Sequence, residues 1–206
     1  MRRIGLFGGS FNPPHLGHLH LAETVYHALK LDEIRLIPAK KPPHKSDQAY
    51  APEKNRFAMC QIFSELHPWL LADDFELHQN TVSYTYYTVK HFAELFPDDQ
   101  IFLLIGSDML LSFQTWFRWE DILQYVSLAC IAREDGEMEK LAAQTEILRQ
   151  SGEIFLVNTE SFAVSSTKIR EMIEKKQNYS CYLPEKIVQY IRKENLYMGS
   201  VADCIR

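Results

Sequence analysis

Apolar residues fall along this chain in two rhythms, short continuous runs and helical spacings, and the two alternate. Ile4-Gly5-Leu6-Phe7 is a short apolar run that predicts a strand over residues 3–7. Leu16, Leu19, Ala22, Val25, Tyr26 and Leu29 then share one face at helical spacing and predict a helix over 16–30. Glu33-Ile34-Arg35-Leu36-Ile37 returns to strand, and such an opening points to a parallel sheet with right-handed crossovers. Residues 52–66 predict a second helix, with Pro52 at its start and Phe57, Ile62, Phe63 and Leu66 facing inward. Trp69 to Leu77 is a strand candidate. A helix follows to Phe96, capped by Ser83 or Thr85 and ended by Pro97. Gln100 to Ile105 and Ser127 to Ala132 read as buried central strands. An amphipathic helix over 137–150 and a final strand over 153–157 come next, and a closing helix over 184–194 is opened by Pro184. The expected fold is α/β, a central mostly parallel sheet with helices on both faces. It forms one domain over 1–197 with a loose tail over 198–206, and shows no repeat or linker.

Composition narrows this only a little. A chain of 206 residues suits one well-filled domain. Cys60, Cys130, Cys181 and Cys204 form no CxxC pair, so reduced thiols are expected. A net charge of −5 gives no basic field, and nucleic acid is not expected as a partner. No run approaches the ~20 apolar residues of a membrane span. Met1-Arg2-Arg3 leads into a strand rather than a signal segment, so no membrane association and a cytoplasmic location are expected. Oligomeric state is open, with a homo-oligomer among the options.

The chemistry concentrates in Gly8-Gly9-Ser10-Phe11-Asn12-Pro13-Pro14-His15-Leu16-Gly17-His18, between the first strand and the first helix. Glycines there let backbone N–H groups approach an anion, and the helix N-terminus adds the positive end of a dipole. His15 and His18 would flank that anion. A tight turn carrying two solvated histidines is the plain alternative, and a metal site with His20 is another. No Gly-Lys-Ser/Thr follows, so this is not a Walker A loop, nor is it the dinucleotide GxGxxG fingerprint. The stretch resembles the GG[ST]F[DN]PxHxGH signature of nucleotidyltransferases that move an AMP or CMP unit from a nucleoside triphosphate. That resemblance implies a Rossmann-like nucleotidyltransferase fold and leaves the acceptor unnamed. A second anion-site candidate is Val164-Ser165-Ser166-Thr167-Lys168-Ile169-Arg170, where hydroxyls open a helix and Arg170 lies one turn in. By itself it reads equally as a cap plus surface charge. It resembles the [IV]SST-x-[IL]R element of the same superfamily, which holds the triphosphate opposite the two histidines.

Inner motifs choose among acceptors. Pro38 to Lys45 is a proline-stiffened basic loop at the carboxyl edge of the sheet, and it resembles the PPHK element of bacterial nicotinate-nucleotide adenylyltransferases. Ser83-Tyr84-Thr85 resembles that family's SYT segment, although the preceding Arg-x-Gly-Pro is replaced by His78-Gln79-Asn80-Thr81-Val82. Gly106-Ser107-Asp108 places a carboxylate at a strand's carboxyl end, suited to ribose hydroxyls or to a helix cap, and it matches the family's Gly-Ser-Asp. Trp116, Phe117 and Trp119 read by spacing as core, and the resemblance singles out Trp116 as the aromatic that stacks on the nicotinate ring. Arg56 reads alone as a surface charge but matches a family arginine. Arg133 is carried over from an Arg-Pro-Gly that is Arg133-Glu134-Asp135-Gly136 here.

Taken together, the resemblance implies adenylyl transfer from ATP to nicotinate mononucleotide, giving deamido-NAD and pyrophosphate, with Mg²⁺ accompanying ATP and no protein metal cage. It implies His15, His18 and Arg170 as catalytic groups. Gly8, Gly9, Ser10, Phe11, Gly17, Gly106, Asp108, Ser165, Ser166 and Thr167 would complete the ATP site. His44, Lys45, Tyr84, Thr85, Trp116 and Arg133 would hold the mononucleotide. Pantetheine-phosphate adenylyltransferase shares the first motif but lacks PPHK and SYT. A preference for nicotinamide mononucleotide, or a non-catalytic nucleotide sensor, stays open.

Overall fold

The computed structural model describes residues 1–40, 50–79, 83–133, 138–159 and 164–198, the side chains of Arg133 and Met138 excepted. Six strands form one parallel sheet: β1 (Arg3–Gly9), β2 (Glu33–Pro38), β3 (Leu70–Ala72), β4 (Gln100–Gly106), β5 (Ser127–Arg133) and β6 (Ile154–Thr159). Their spatial order is β3-β2-β1-β4-β5-β6. The chain therefore winds outward from β1 in one direction, then returns to its other side at β4. That reversal lies between β1 and β4, whose register pairs Phe7 with Leu104. In open α/β sheets the crevice at such a reversal, outside the carboxyl ends of the strands, is where ligands bind.

Strands buried on both faces read as apolar runs, yet their side chains still alternate. Phe7, Phe102, Leu104, Ala129 and Ile131 join one core, packed by helices α1 (Leu16–Ala28), α2 (Glu53–Ser64), α7 (Ser166–Glu174) and α8 (Glu185–Lys193). Ile4, Leu6, Ile101, Leu103, Leu128 and Cys130 join the other. Its cover is α3 (Thr85–Leu95), α4 (Ser107–Ser112), α5 (Trp119–Tyr125) and α6 (Met138–Leu148). The expected two-sided sheet is what forms.

Local departures have identifiable causes. The strand expected over 69–77 stops at Ala72, because Asp73 and Asp74 turn the chain into a 3-10 turn over Phe75–His78, where the Asp73 carboxylate accepts the Phe75 N–H. Neither Ser83 nor Thr85 caps α3. Tyr84 occupies that position without a side-chain bond, and the Ser83 hydroxyl instead accepts the N–H of Lys40. Leu66 lies beyond the end of α2 and is exposed, whereas the inward face of that helix is Arg56, Met59, Cys60 and Phe63.

Candidate active site

Beyond β1 the chain makes an irregular passage through Ser10 to Pro14 before α1 begins. Phe11 takes a left-handed backbone (φ 42) that a bulky side chain rarely adopts, with its ring buried against Gly9 and Phe7. His15 ends the passage in extended conformation as the N-cap of α1, and His18 lies in the first turn. The two imidazoles stack, with centroids 3.7 Å apart and planes at 29°. The backbone N–H of His15 donates to Nδ1 of His18 (3.1 Å). In the neutral ring of His18 the proton is therefore on Nε2, which leaves that nitrogen a donor. Burial pushes the His15 pKa down to about 4, and burial followed by the proximity of His15 holds His18 well below the ordinary histidine value. Nδ1 of His15 is buried with no hydrogen-bond partner among the described residues. Solvated turn histidines would not look like this. His20 is turned elsewhere, its Nε2 bonded to the Thr159 hydroxyl (2.8 Å).

Gly17 has a steric reason. A Cβ there would sit 3.0 Å from both His15 Nδ1 and the Val164 side chain. Helix α1 thus presses against the segment that opens α7, and bonds hold the two motifs together. Ser165 caps α7 by accepting the Lys168 N–H, the Ser166 hydroxyl donates to the Pro13 carbonyl (2.8 Å), and Arg170 Nη1 donates to the Asn12 carbonyl (2.9 Å). Arg170 Nη2 reaches the Thr167 hydroxyl at 3.2 Å. Motifs about 150 residues apart in sequence are one bonded unit. Asn12, at the [DN] position of the first motif, is not among the expected site residues, and the motif does not say what its side chain holds. It is fully buried, and its side-chain oxygen accepts the Ala51 N–H (3.0 Å) and the Tyr197 hydroxyl (2.8 Å).

Across the reversal, Gly106 and Asp108 follow β4. A Cβ on Gly106 would meet the Asp108 carboxylate at 2.8 Å, so glycine is what lets the exposed carboxylate fold back over the strand end. Gly106 is the N-cap of α4, and Asp108 makes no capping bond. On the same side, the N-terminus of α3 meets the turn before α5. Tyr84 lies 4.8 Å from Phe117, and Phe117 is 44% exposed rather than core, while Trp116 packs partly on Phe113. Tyr84 and Phe117 thus share one aromatic surface, next to Thr85 in sequence, whereas Trp116 is partly buried against the core on Phe113. Lys40 bonds this wall to the loop after β2, its Nζ reaching the Gln79 carbonyl at 2.7 Å. His44 and Lys45 lie outside the described residues, as does the side chain of Arg133, which ends β5. Among the described residues, no three His, Cys, Asp or Glu side chains cluster as a metal site. No helix among them is long and apolar enough to cross a membrane.

Comparison with known proteins bears on this geometry. The cytidylyltransferase-like family model matches residues 6–172. A probable nicotinate-nucleotide adenylyltransferase of Carboxydothermus hydrogenoformans is 35% identical over 197 residues, covering 95% of this chain and 98% of the relative. The chain belongs to the nicotinate-nucleotide adenylyltransferase family. Another relative so named, from Geobacillus thermodenitrificans, is 34% identical and spans 100% of this chain and 92% of its own. At the level of fold, the nicotinic acid mononucleotide adenylyltransferase of Plasmodium falciparum, solved in complex with NaAD, superposes with a TM-score of 0.78. It is 22% identical and covers 96% of this chain and 98% of its own. Family membership accounts for the pairing of the first motif with the one at α7, and it leaves the role of each side chain to be argued from geometry.

Proposed function

We propose that this chain transfers the adenylyl group of ATP to nicotinate mononucleotide, giving deamido-NAD and pyrophosphate. One observation carries the reading: the histidine loop after β1 and the N-terminus of α7 are bonded into a single unit at the sheet's reversal, beside Asp108 after β4. A triphosphate laid there meets His15 and His18 on one side, and Ser165, Ser166, Thr167 and Arg170 on the other. Gly8, Gly9 and Ser10 bring backbone close below it, and a Cβ on Gly8 would project into open space, so glycine keeps the mouth unfilled. The exposed carboxylate of Asp108 suits ribose hydroxyls. Tyr84, Trp116 and the exposed Phe117 offer rings to a pyridine base, and Thr85 beside Tyr84 offers a hydroxyl. His44, Lys45 and Arg133 remain assigned to the mononucleotide by family resemblance.

The reaction asks little covalent work of the protein. An oxygen of the mononucleotide phosphate, already ionised at neutral pH, forms a bond to the α-phosphorus of ATP. The bond from that phosphorus to the bridging oxygen breaks, and pyrophosphate leaves with the electron pair. Positioning and charge neutralisation then carry the rate. His18 donates through Nε2, and the unpartnered buried nitrogen of His15 gains a partner when an anion is bound. Phosphate oxygens pull both imidazoles toward the charged form, against the burial that depresses them in the free protein. Mg²⁺ enters as part of the ATP substrate. Imidazole nitrogens are poor partners for so hard a cation, so it would be held through phosphate oxygens and water rather than by His15 or His18.

The test is pyrophosphate release from MgATP with nicotinate mononucleotide, nicotinamide mononucleotide and phosphopantetheine in parallel, with His18→Ala alongside. Turnover with the nicotinate form, reduced about 10²–10³-fold in the variant, supports the assignment. Turnover with phosphopantetheine alone overturns the acceptor, and no turnover with any overturns the enzyme.

A further inference from the structure

Arg56 lies on α2, an element to which the proposed reaction gives no part. Its side chain is 1% exposed, a rare place for a guanidinium, and among the described residues it forms no ion pair with a carboxylate. Burying a cation without an anion is costly, so the hydrogen bonds it does make need an explanation. Nη1 donates to the Ser10 carbonyl (2.9 Å) and Nη2 to the Lys40 carbonyl (3.2 Å), while the Tyr50 ring lies 5.9 Å from the guanidinium carbon. Nε has no partner among the described residues.

Those two carbonyls are informative by position. β1 and β2 pair in register up to Gly9 and Pro38, and the Ala39 N–H still reaches the Gly9 carbonyl at 2.9 Å. Beyond that point the strands diverge, Ser10 toward Phe11 and the histidines, Lys40 toward the wall at Gln79 and Ser83. The guanidinium spans the gap where backbone can no longer do so, acting as one more rung of the ladder. Its planar fork holds two acceptors at a set separation, which a lysine ammonium on a flexible stem does not do. Ser10 directly follows the two glycines that lead into the loop proposed to hold the triphosphate. Lys40 anchors the side on which the acceptor is proposed to bind.

We propose that Arg56 is a positioning residue for adenylyl transfer, its guanidinium setting the separation between the loop that holds ATP and the wall that holds the acceptor. The inference rests on the function proposed above. In the reaction, two phosphates must meet in line, and a misplacement of about 1 Å costs about 10²-fold in rate. No substrate touches Arg56, so its effect appears in kcat more than in KM for either substrate taken alone.

The experiment uses the full chain with Arg56→Lys and Arg56→Met. Turnover is normalised to folded protein well below each variant's melting temperature. The expected result for Arg56→Lys, which keeps charge and approximate volume, is a kcat lower by about 10²-fold with a folded far-UV spectrum and cooperative melting. Wild-type kcat per folded molecule in Arg56→Lys, with only a lowered melting temperature, would overturn the proposal and leave a structural arginine. Should Arg56→Met fail to fold, Arg56→Lys decides alone. Calorimetric binding of MgATP without acceptor is expected to stay within a few-fold of wild type in Arg56→Lys, and a loss of affinity as large as the loss of kcat would overturn the positioning role. If wild type turns over no acceptor, the assignment falls and this inference falls with it, whereas wild-type turnover with an unchanged kcat in Arg56→Lys overturns the inference alone.

Discussion

Around Gly17, two effects of similar size oppose each other. Alanine is favoured over glycine inside a helix by about 1 kcal/mol. The added methyl, however, lands 3.0 Å from His15 Nδ1 and from Val164, and overpacking of this kind costs about 1–3 kcal/mol. Net stability should shift little, but what yields is the His15 ring or the start of the α7 segment, both at the proposed triphosphate. Gly17→Ala is expected to melt within a few degrees of wild type and to lose about 10²-fold in kcat, read by calorimetry and pyrophosphate release on the same sample. His15 also makes a pH prediction. Its folded pKa of about 4 lies below the ordinary 6.5, so the unfolded chain takes up a proton first. Stability is then whole above pH 6.5 and falls as pH drops toward 4, by about 3 kcal/mol across that window. Glu76, raised by burial despite bonds from Thr88 and Ser83, works in the other direction because its protonated form is favoured in the fold. His18, depressed in the same direction, adds acid sensitivity of the same sign, so the urea midpoint at pH 7 and pH 5 is compared in wild type, His15→Gln and His18→Gln, and each variant should lose part of the acid sensitivity.

Among elements, the decisive relation is between the loop after β1 and the start of α7. Ser166→Ala removes the bond to the Pro13 carbonyl, worth about 1 kcal/mol. The expected outcome is a melting temperature lower by about 2–4 °C with a raised KM for ATP, while KM for the mononucleotide stays near wild type. Strands and helices of this chain were largely legible in its apolar spacing, because a parallel sheet covered on both faces needs continuous runs and its covering helices need a stripe. The serine that opens α7 was legible too, since capping is local chemistry. What escaped depends on distant backbone. Ser83 offers its hydroxyl to Lys40 rather than to its own helix, and the 69–77 segment carries strand-like residues that paired aspartates divert. The roles of Arg56 and Asn12 are recognisable only when the carbonyls and N–H groups they serve have been brought from other elements. No spacing rule encodes such partners. Family resemblance marked Arg56 without supplying the reason.

For the whole molecule, the strand order places both anion candidates and Asp108 at one edge, and ligand binding there should stabilise the entire fold. MgATP at a hundred times its dissociation constant is expected to add about 2.7 kcal/mol, seen as a rise in melting temperature that Arg170→Ala diminishes. The edge is also where the first and last described parts of the chain meet. Arg170 holds the Asn12 carbonyl, and Tyr197, beyond α8, holds its side chain across a separation of 185 residues. A protein is made from its N-terminus, and contacts of long separation form late. The loop proposed to meet ATP is thus synthesised long before Tyr197, and it waits about 185 residues for that anchor. During translation the first motif is therefore complete in sequence long before its buried asparagine has the partner that holds it in the folded protein.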